Sequence, residues 1–153
     1  MTATIVVLAP LAVVAAWLLG TGLASLLSGW HALAEQYPEP DGYEAPSERR
    51  HRFRTLQFVR LAGLPARYGS SVTVTLAPGG LHLAVLGIFR FRHPPMLIPW
   101  AAIRRCEEGS FFGFRNTEVE VRDADPVIRI FGDVGDEVAR EWQRRGPPGD
   151  ARR

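Results

Sequence analysis

Hydrophobic and polar positions divide the chain into three regimes. The first is unbroken: from Ile5 to Leu27, IVVLAPLAVVAAWLLGTGLASLL runs for 23 residues without a charge. At about 1.5 Å per residue such a helix crosses a hydrocarbon core of about 30 Å. The pattern predicts a transmembrane anchor over residues 1–30, with Pro10 in its first turns, where a kink is tolerable, and Trp30 at headgroup level. Apolar positions at Ala32, Leu33, Ala34 and Tyr37 extend the helix a turn or two, until Pro38 discourages it.

The second regime, PEPDGYEAPSE, has turn and acidic residues in place of any period, and reads as a Pro-rich neck within residues 31–51. The third has the two-residue period of half-buried strands. Val72, Val74 and Leu76 alternate with Thr73 and Thr75; Pro78-Gly79-Gly80 supplies a turn; and Leu81, Leu83 and Val85 resume the apolar face, predicting a hairpin. A second hairpin is predicted in NTEVEVRDADPVIRIFG, where Val119 and Val121 oppose Glu118, Glu120 and Arg122. FRTLQFVRLAG, PMLIPW and AIRRCEEG supply further strands, and Arg90 and Arg92 read as one face of a strand whose other face is Phe89 and Phe91.

The period then changes to that of a helix. Val134, Val138 and Trp142 form one stripe, with Asp133 expected as N-cap, Asp136 near the positive end of the dipole, Arg144 and Arg145 in the last turn and Gly146 as the stop. The expected organisation is therefore an anchor, a neck, a mainly-β domain of about seven strands closed by a C-terminal helix over residues 52–145, and a disordered tail over 146–153.

Charge sharpens this division. All 18 cationic side chains are Arg and none is Lys, which removes Schiff-base chemistry and a lysine-dependent phosphate loop. Residues 31–48 carry five acids and no Arg, a net −5, whereas residues 49–153 carry 18 Arg against 11 acids, a net +7. The N-terminal side of the anchor offers no cation to compete with RRHRFR at residues 49–54, so the expected location is the inner membrane, single-pass, with the C-terminal domain cytoplasmic. The competing reading is a cleaved secretory signal ending near the small-x-small triplet Ala32 to Ala34; against it stand the uncharged MTAT start and the length of the apolar run.

Candidate chemistry is sparse. Cys106 is the only cysteine, which excludes an intrachain disulfide and argues against a thiolate zinc site. His31, His51, His82 and His93 are scattered without ligand spacing, and a His93–Cys106 nucleophile pair is not specified by its context, so neither catalysis, metal nor cofactor is expected. Two sets of residues are left. Arg49, Arg50, Arg52, Arg54, Arg90 and Arg92 are candidate contacts for anionic headgroups or a partner, set against ordinary solvated charge. Ala12, Ala16, Gly20, Ala24 and Ser28, one every four residues, make a stripe of small side chains suited to helix–helix packing, with itself or another membrane protein, set against a face that meets lipid alone. Nucleic acid is not an expected partner, since acids interrupt the basic surface and the anchor restricts access.

GLHLAVLGIFRFRHPPMLIPWAAIRR, with its Gly-Leu strand leading across a loop to IPW..I, resembles a segment of bacterial PH-like and GRAM-like domains. With W.ALAEQY after the anchor, the fuller pattern over about residues 30–142 resembles a group of small bacterial single-pass membrane proteins of unknown function. The resemblance implies a PH-like barrel and no catalytic residues. The expected function is a membrane-anchored, non-enzymatic domain that presents the barrel to a protein or to anionic headgroups. The alternative is a structural subunit or assembly factor recognised through its transmembrane helix.

Overall fold

A computed structural model describes residues 2–60 and 65–146, with side chains in the first helix from Pro10 onward. The tail expected over 146–153 lies, beyond Gly146, outside the described residues, as does the end of the strand expected in FRTLQFVRLAG.

Helix α1, Thr2–Ser28, carries Pro10 within it and includes one stretch, Pro10–Ser28, long and apolar enough to cross a membrane. It stops at Gly29, which has φ +83°, and a short helix α2, Trp30–Gln36, starts in a new direction. Gly29 is required twice over: L side chains avoid that conformation, and an added Cβ would stand 3.0 Å from the Pro126 ring.

Seven strands follow: β1 (Arg50–Val59), β2 (Ala66–Leu76), β3 (Gly80–Val85), β4 (Met96–Pro99), β5 (Ile103–Phe111), β6 (Phe114–Val121) and β7 (Val127–Phe131). They form one antiparallel sheet in the order β4-β3-β2-β1-β7-β6-β5. The sheet curls into a half-barrel. β4 and β5, consecutive in the chain and joined by the 3₁₀ turn Trp100–Ala102, lie at its opposite edges. Helix α3, Asp133–Arg145, lies over β5, β6 and β7, and its Trp142 indole donates to Ile103 O at 3.1 Å. Glycine 132 rather than Asp133 is its N-cap; Asp133 is the first helical residue and accepts from Arg54 at 3.0 Å. One residue of slippage is the usual uncertainty of a cap read from sequence.

Alternation along the strands fills the interior. Leu56, Phe58, Val72, Val74, Leu81, Leu83, Ile98, Ile103, Ile128 and Ile130 are all fully buried, with Val134 and Val138 from α3. The core does not end with the sheet. Trp30 is 0% exposed, Leu33 and Ala34 are buried, and the Trp30 ring lies 5.2 Å from Phe58, 5.3 Å from Tyr68 and 5.7 Å from His93. The headgroup position expected for Trp30 is thus corrected: this indole is a core side chain of the half-barrel, and α2 is one of its packed elements. The neck also lies on the sheet, through a hydrogen bond between Glu39 and His82 and a Tyr43–His82 ring contact at 5.4 Å.

Candidate functional site

The arginines nominated from sequence separate into two groups with different surroundings. Arg49 reaches α3, donating to Glu137 at 2.9 Å and Glu141 at 2.7 Å; Arg54 pairs with Asp133; and Arg50 donates to Ala45 O. Arg52 is exposed and makes no ion pair among the described residues. This group begins β1, whose other end, Val59, pairs with Val127 next to the Pro126–Gly29 contact. It therefore lies at the end of β1 away from α1, and two of its four charges, those of Arg49 and Arg54, are spent in binding α3.

Glutamate 141 is the focus of that network. Burial would push its carboxyl up, but hydrogen bonds from Arg49, Arg145 and Arg144 overcome this and hold it at about 2.

Arg90 and Arg92 behave differently, and their expected strand does not form. Gly87–Phe89 is a 3₁₀ turn, followed by a turn in which Arg92 has φ +57°. Pro94 and Pro95 cannot donate to a ladder, so pairing resumes only at Met96. The turn rests on α1: the Phe89 ring is 6.0 Å from that of Trp17, Ser25 donates to Arg92 O, and a Cβ on Gly22 would lie 3.0 Å from Arg92 Cδ and 3.5 Å from Phe91 Cε1. Both arginines are exposed there. Arg60, paired with Asp125 at 2.7 Å, reaches Leu27 O at 3.5 Å, so the fold brings a third arginine to the C-terminal end of α1.

A chain of polar contacts fixes this joint. Phe91 O can only accept, so His93 Nδ1, 3.0 Å away, carries the proton; Nε2 then accepts from the Tyr68 hydroxyl at 3.0 Å, and the Tyr68 oxygen lies 2.8 Å from Ser28 Oγ, which is also 3.1 Å from Ser25 O. Burial lowers the His93 pKa, favouring this neutral form. Of the small-residue stripe, Ser28 is buried in the joint, whereas Ala12, Ala16, Gly20 and Ala24 are exposed, with open space around Gly20.

A third surface escaped the sequence reading. At the tip of the β5–β6 hairpin, Phe111 pairs with Phe114 across Phe112-Gly113, both of which have positive φ, as a tight two-residue hairpin turn requires. Phe112 is 87% exposed and Phe114 70%. Across from them, a bulge in β1 puts Phe53 at φ +56° with its ring 61% exposed. These residues line a groove of about 590 Å³ together with Phe131, Arg54, Arg67 and Arg115, and no carboxylate contributes to its wall. The Arg67 guanidinium lies 6.0 Å from the Phe131 ring centroid. From Val121, whose neighbour Arg122 accepts from Tyr37 just past α2, to Phe114 the strand covers roughly 23 Å, so the groove is at the end remote from α1 and α2. The clue in the sequence was the run FFGF, with Gly at a turn position between bulky aromatics.

Cys106 is buried, and burial together with the charge of Glu108 pushes its thiol up to about 12, the reverse of an activated nucleophile. Among the described residues no group of three or more His, Cys, Asp and Glu is placed to hold a metal ion. No protein-family model matches the chain, and no curated protein matches it significantly.

Proposed function

We propose that this chain is a membrane-anchored, non-enzymatic docking module: α1 spans the inner membrane once, and the PH-like half-barrel, on the cytoplasmic side, holds an acidic polypeptide segment in its distal groove. The observation that carries this reading is the pair Phe53 and Phe112. A bulky aromatic residue at left-handed φ is uncommon and costs on the order of 1–2 kcal/mol. Here one sits in β1 and the other in the β5–β6 turn, both exposed, and both line one groove. The turn and the bulge account for the backbone conformation but not for the choice of bulky aromatics there, and exposed apolar side chains gathered on one groove are best explained by what they touch when it is occupied. Arg54 and Arg115 in the wall are paired with Asp133 and Asp136, but Arg67 makes no ion pair among the described residues and no carboxylate lines the groove, which favours an acidic occupant. Arg60, Arg90 and Arg92 at the end of the anchor favour an anionic, cytoplasmic leaflet on that side. Anionic lipid is less well supported as the ligand of Arg49–Arg54, because α3 already engages Arg49 and Arg54.

A photo-crosslinking residue at Phe112, in the full-length protein in its own membrane, tests this. The expected result is a discrete polypeptide adduct that disappears on Arg67→Glu and is missing from a probe placed at exposed Arg104. The same adducts from both positions would remove the groove from consideration.

The exposed stripe Ala12, Ala16, Gly20 and Ala24 favours a second reading, in which the chain is a structural subunit or assembly factor recognised by another membrane helix. Gly20→Leu with Ala24→Leu would abolish a native-gel complex under this reading and leave the Phe112 adduct intact under the first.

A further inference from the structure

The spanning helix and one loop of the half-barrel occupy the same depth. About twenty residues are needed to cross the hydrocarbon core, and counted from Ile5, where the apolar run begins, they reach Ala24. Phe89 packs on Trp17, seven residues and roughly 10 Å inside that limit. Phe91 and the stem of Arg92 lie against Gly22, also inside it. If α1 spans the bilayer, this loop cannot remain in water.

We infer that Gly87–Arg92 is a lipid-embedded wedge, with Ile88, Phe89 and Phe91 entering the acyl region of a phospholipid bilayer and Arg90 and Arg92 extending to its anionic headgroups. The inference rests on reading α1 as a membrane-spanning helix. It concerns a different surface from the distal groove and does not depend on what fills that groove.

The composition of the loop fits the medium. Ile88 is 68% exposed and Phe91 47%, a cost in water that lipid removes, and they continue the exposed leucine surface of Leu19, Leu23 and Leu26 on the helix beside them. Backbone polar groups in lipid must be satisfied within the protein. Phe89 N donates to Leu86 O at 2.8 Å, Arg90 N to Gly87 O at 3.2 Å and His93 N to Arg90 O at 2.9 Å. Ser25 serves Arg92 O, and His93 Nδ1 serves Phe91 O. Arginines at such a depth keep the stem in the apolar layer and the guanidinium at the phosphates. Gly22 leaves the space along which the Arg92 stem lies. Neither Arg90 nor Arg92 forms an ion pair within the described residues, so both guanidiniums can meet phosphate.

The test is depth measurement on the full-length protein in vesicles of phosphatidylcholine and phosphatidylglycerol. Single spin labels are placed by Ile88→Cys, Phe91→Cys, Leu19→Cys and Phe112→Cys in a Cys106→Ala background, all four at exposed positions where a label leaves the core intact. Relaxation by oxygen, which concentrates in lipid, is compared with relaxation by a water-soluble nickel chelate. The oxygen-to-nickel ratio at residues 88 and 91 is expected to match that at residue 19 and to exceed that at residue 112 severalfold. A lipid-like ratio at 19 with a water-like ratio at 88 and 91 would overturn the wedge while leaving the anchor standing. Water-like ratios at 19, 88 and 91 together would overturn both.

Discussion

The indole N–H of Trp30 donates to the carbonyl of Pro94 at 2.9 Å, tying the first residue of α2 to the loop that enters β4. Around that bond the Phe58, Tyr68 and His93 rings close, and the Trp30 backbone N–H donates to Ser28 Oγ at 3.2 Å. The end of α1, helix α2 and the half-barrel thus meet through a packed core.

Trp30→Ala should therefore cost about 3–5 kcal/mol, the range for deleting a large buried aromatic. Trp30→Phe, which keeps a ring but loses the bond to Pro94, should cost less, about 0.5–1.5 kcal/mol, the net worth of one hydrogen bond whose acceptor lies at an exposed residue. Urea unfolding of the full-length protein in detergent measures both. Equal losses would mean that the ring contacts are minor.

The His93 relay gives the joint a pH dependence. Its folded pKa lies below the ordinary 6.5 of imidazole, so on acidification the unfolded chain takes up a proton before the native one does. Stability contributed by neutral His93 is complete above about 6.5 and declines as pH falls below that value toward the folded pKa. Thermal melts between pH 7.5 and 5, read as roughly half-unit steps, should show a decline that His93→Gln flattens. Parallel slopes for both proteins would assign the effect to another group.

Glutamate 141 acts on a lower range. With a folded pKa of about 2 against an ordinary 4.5, its contribution is present above 4.5 and is lost as pH falls through the interval down to about 2. Glu141→Gln at neutral pH removes the shared partner of Arg49, Arg144 and Arg145, but these cations reach solvent and Arg49 keeps Glu137, so it should destabilise by about 1–2 kcal/mol. The same substitution should make acid unfolding begin from a lower plateau with a shallower slope in that interval, which denaturant melts at several pH values would reveal.

Two neighbouring glycines make a controlled comparison. A Cβ on Gly80 would stand 2.2 Å from Ile98 O and 2.8 Å from its carbonyl carbon, and backbone in a paired strand has little room to move. Gly80→Ala should cost about 2–3 kcal/mol, as overpacking does, or more. Gly79→Ala, with nothing within 4 Å, should change stability by no more than about 0.5 kcal/mol. Indistinguishable melts would contradict the close approach of β3 to β4.

Strands and helices were legible in the sequence because each shows its own period: Val72, Val74 and Leu76 on one face of β2, and Val134 and Val138 on one face of α3, are buried as their spacing predicts. What local pattern could not give was destination. A tryptophan after an apolar run looks the same at a headgroup and in a core; Trp30 differs only by contacts made 28 to 64 positions away, to Phe58 and Pro94. Phe89 to Arg92 alternate like a strand, but the prolines that follow deny them a ladder. The basic run Arg49–Arg54 is conspicuous in sequence, while the acids that occupy it belong to α3, 79 to 92 positions on. Phe53 entered the groove through a bulge, which shifts register without leaving a mark in the hydrophobic alternation.

The shared core at Trp30 has a practical consequence for making a soluble version of the domain. Truncation at the neck, the obvious place from composition, would carry away Trp30, Leu33 and Ala34 and uncover the faces of Phe58 and Tyr68 that they seal. Such a fragment would begin life with a hole the size of an indole and a sticky rim. A cleaner cut runs through α1 ahead of Thr21, leaving Gly22, Ser25 and Ser28 to seat the Phe91–Arg92 turn and the Tyr68 hydroxyl.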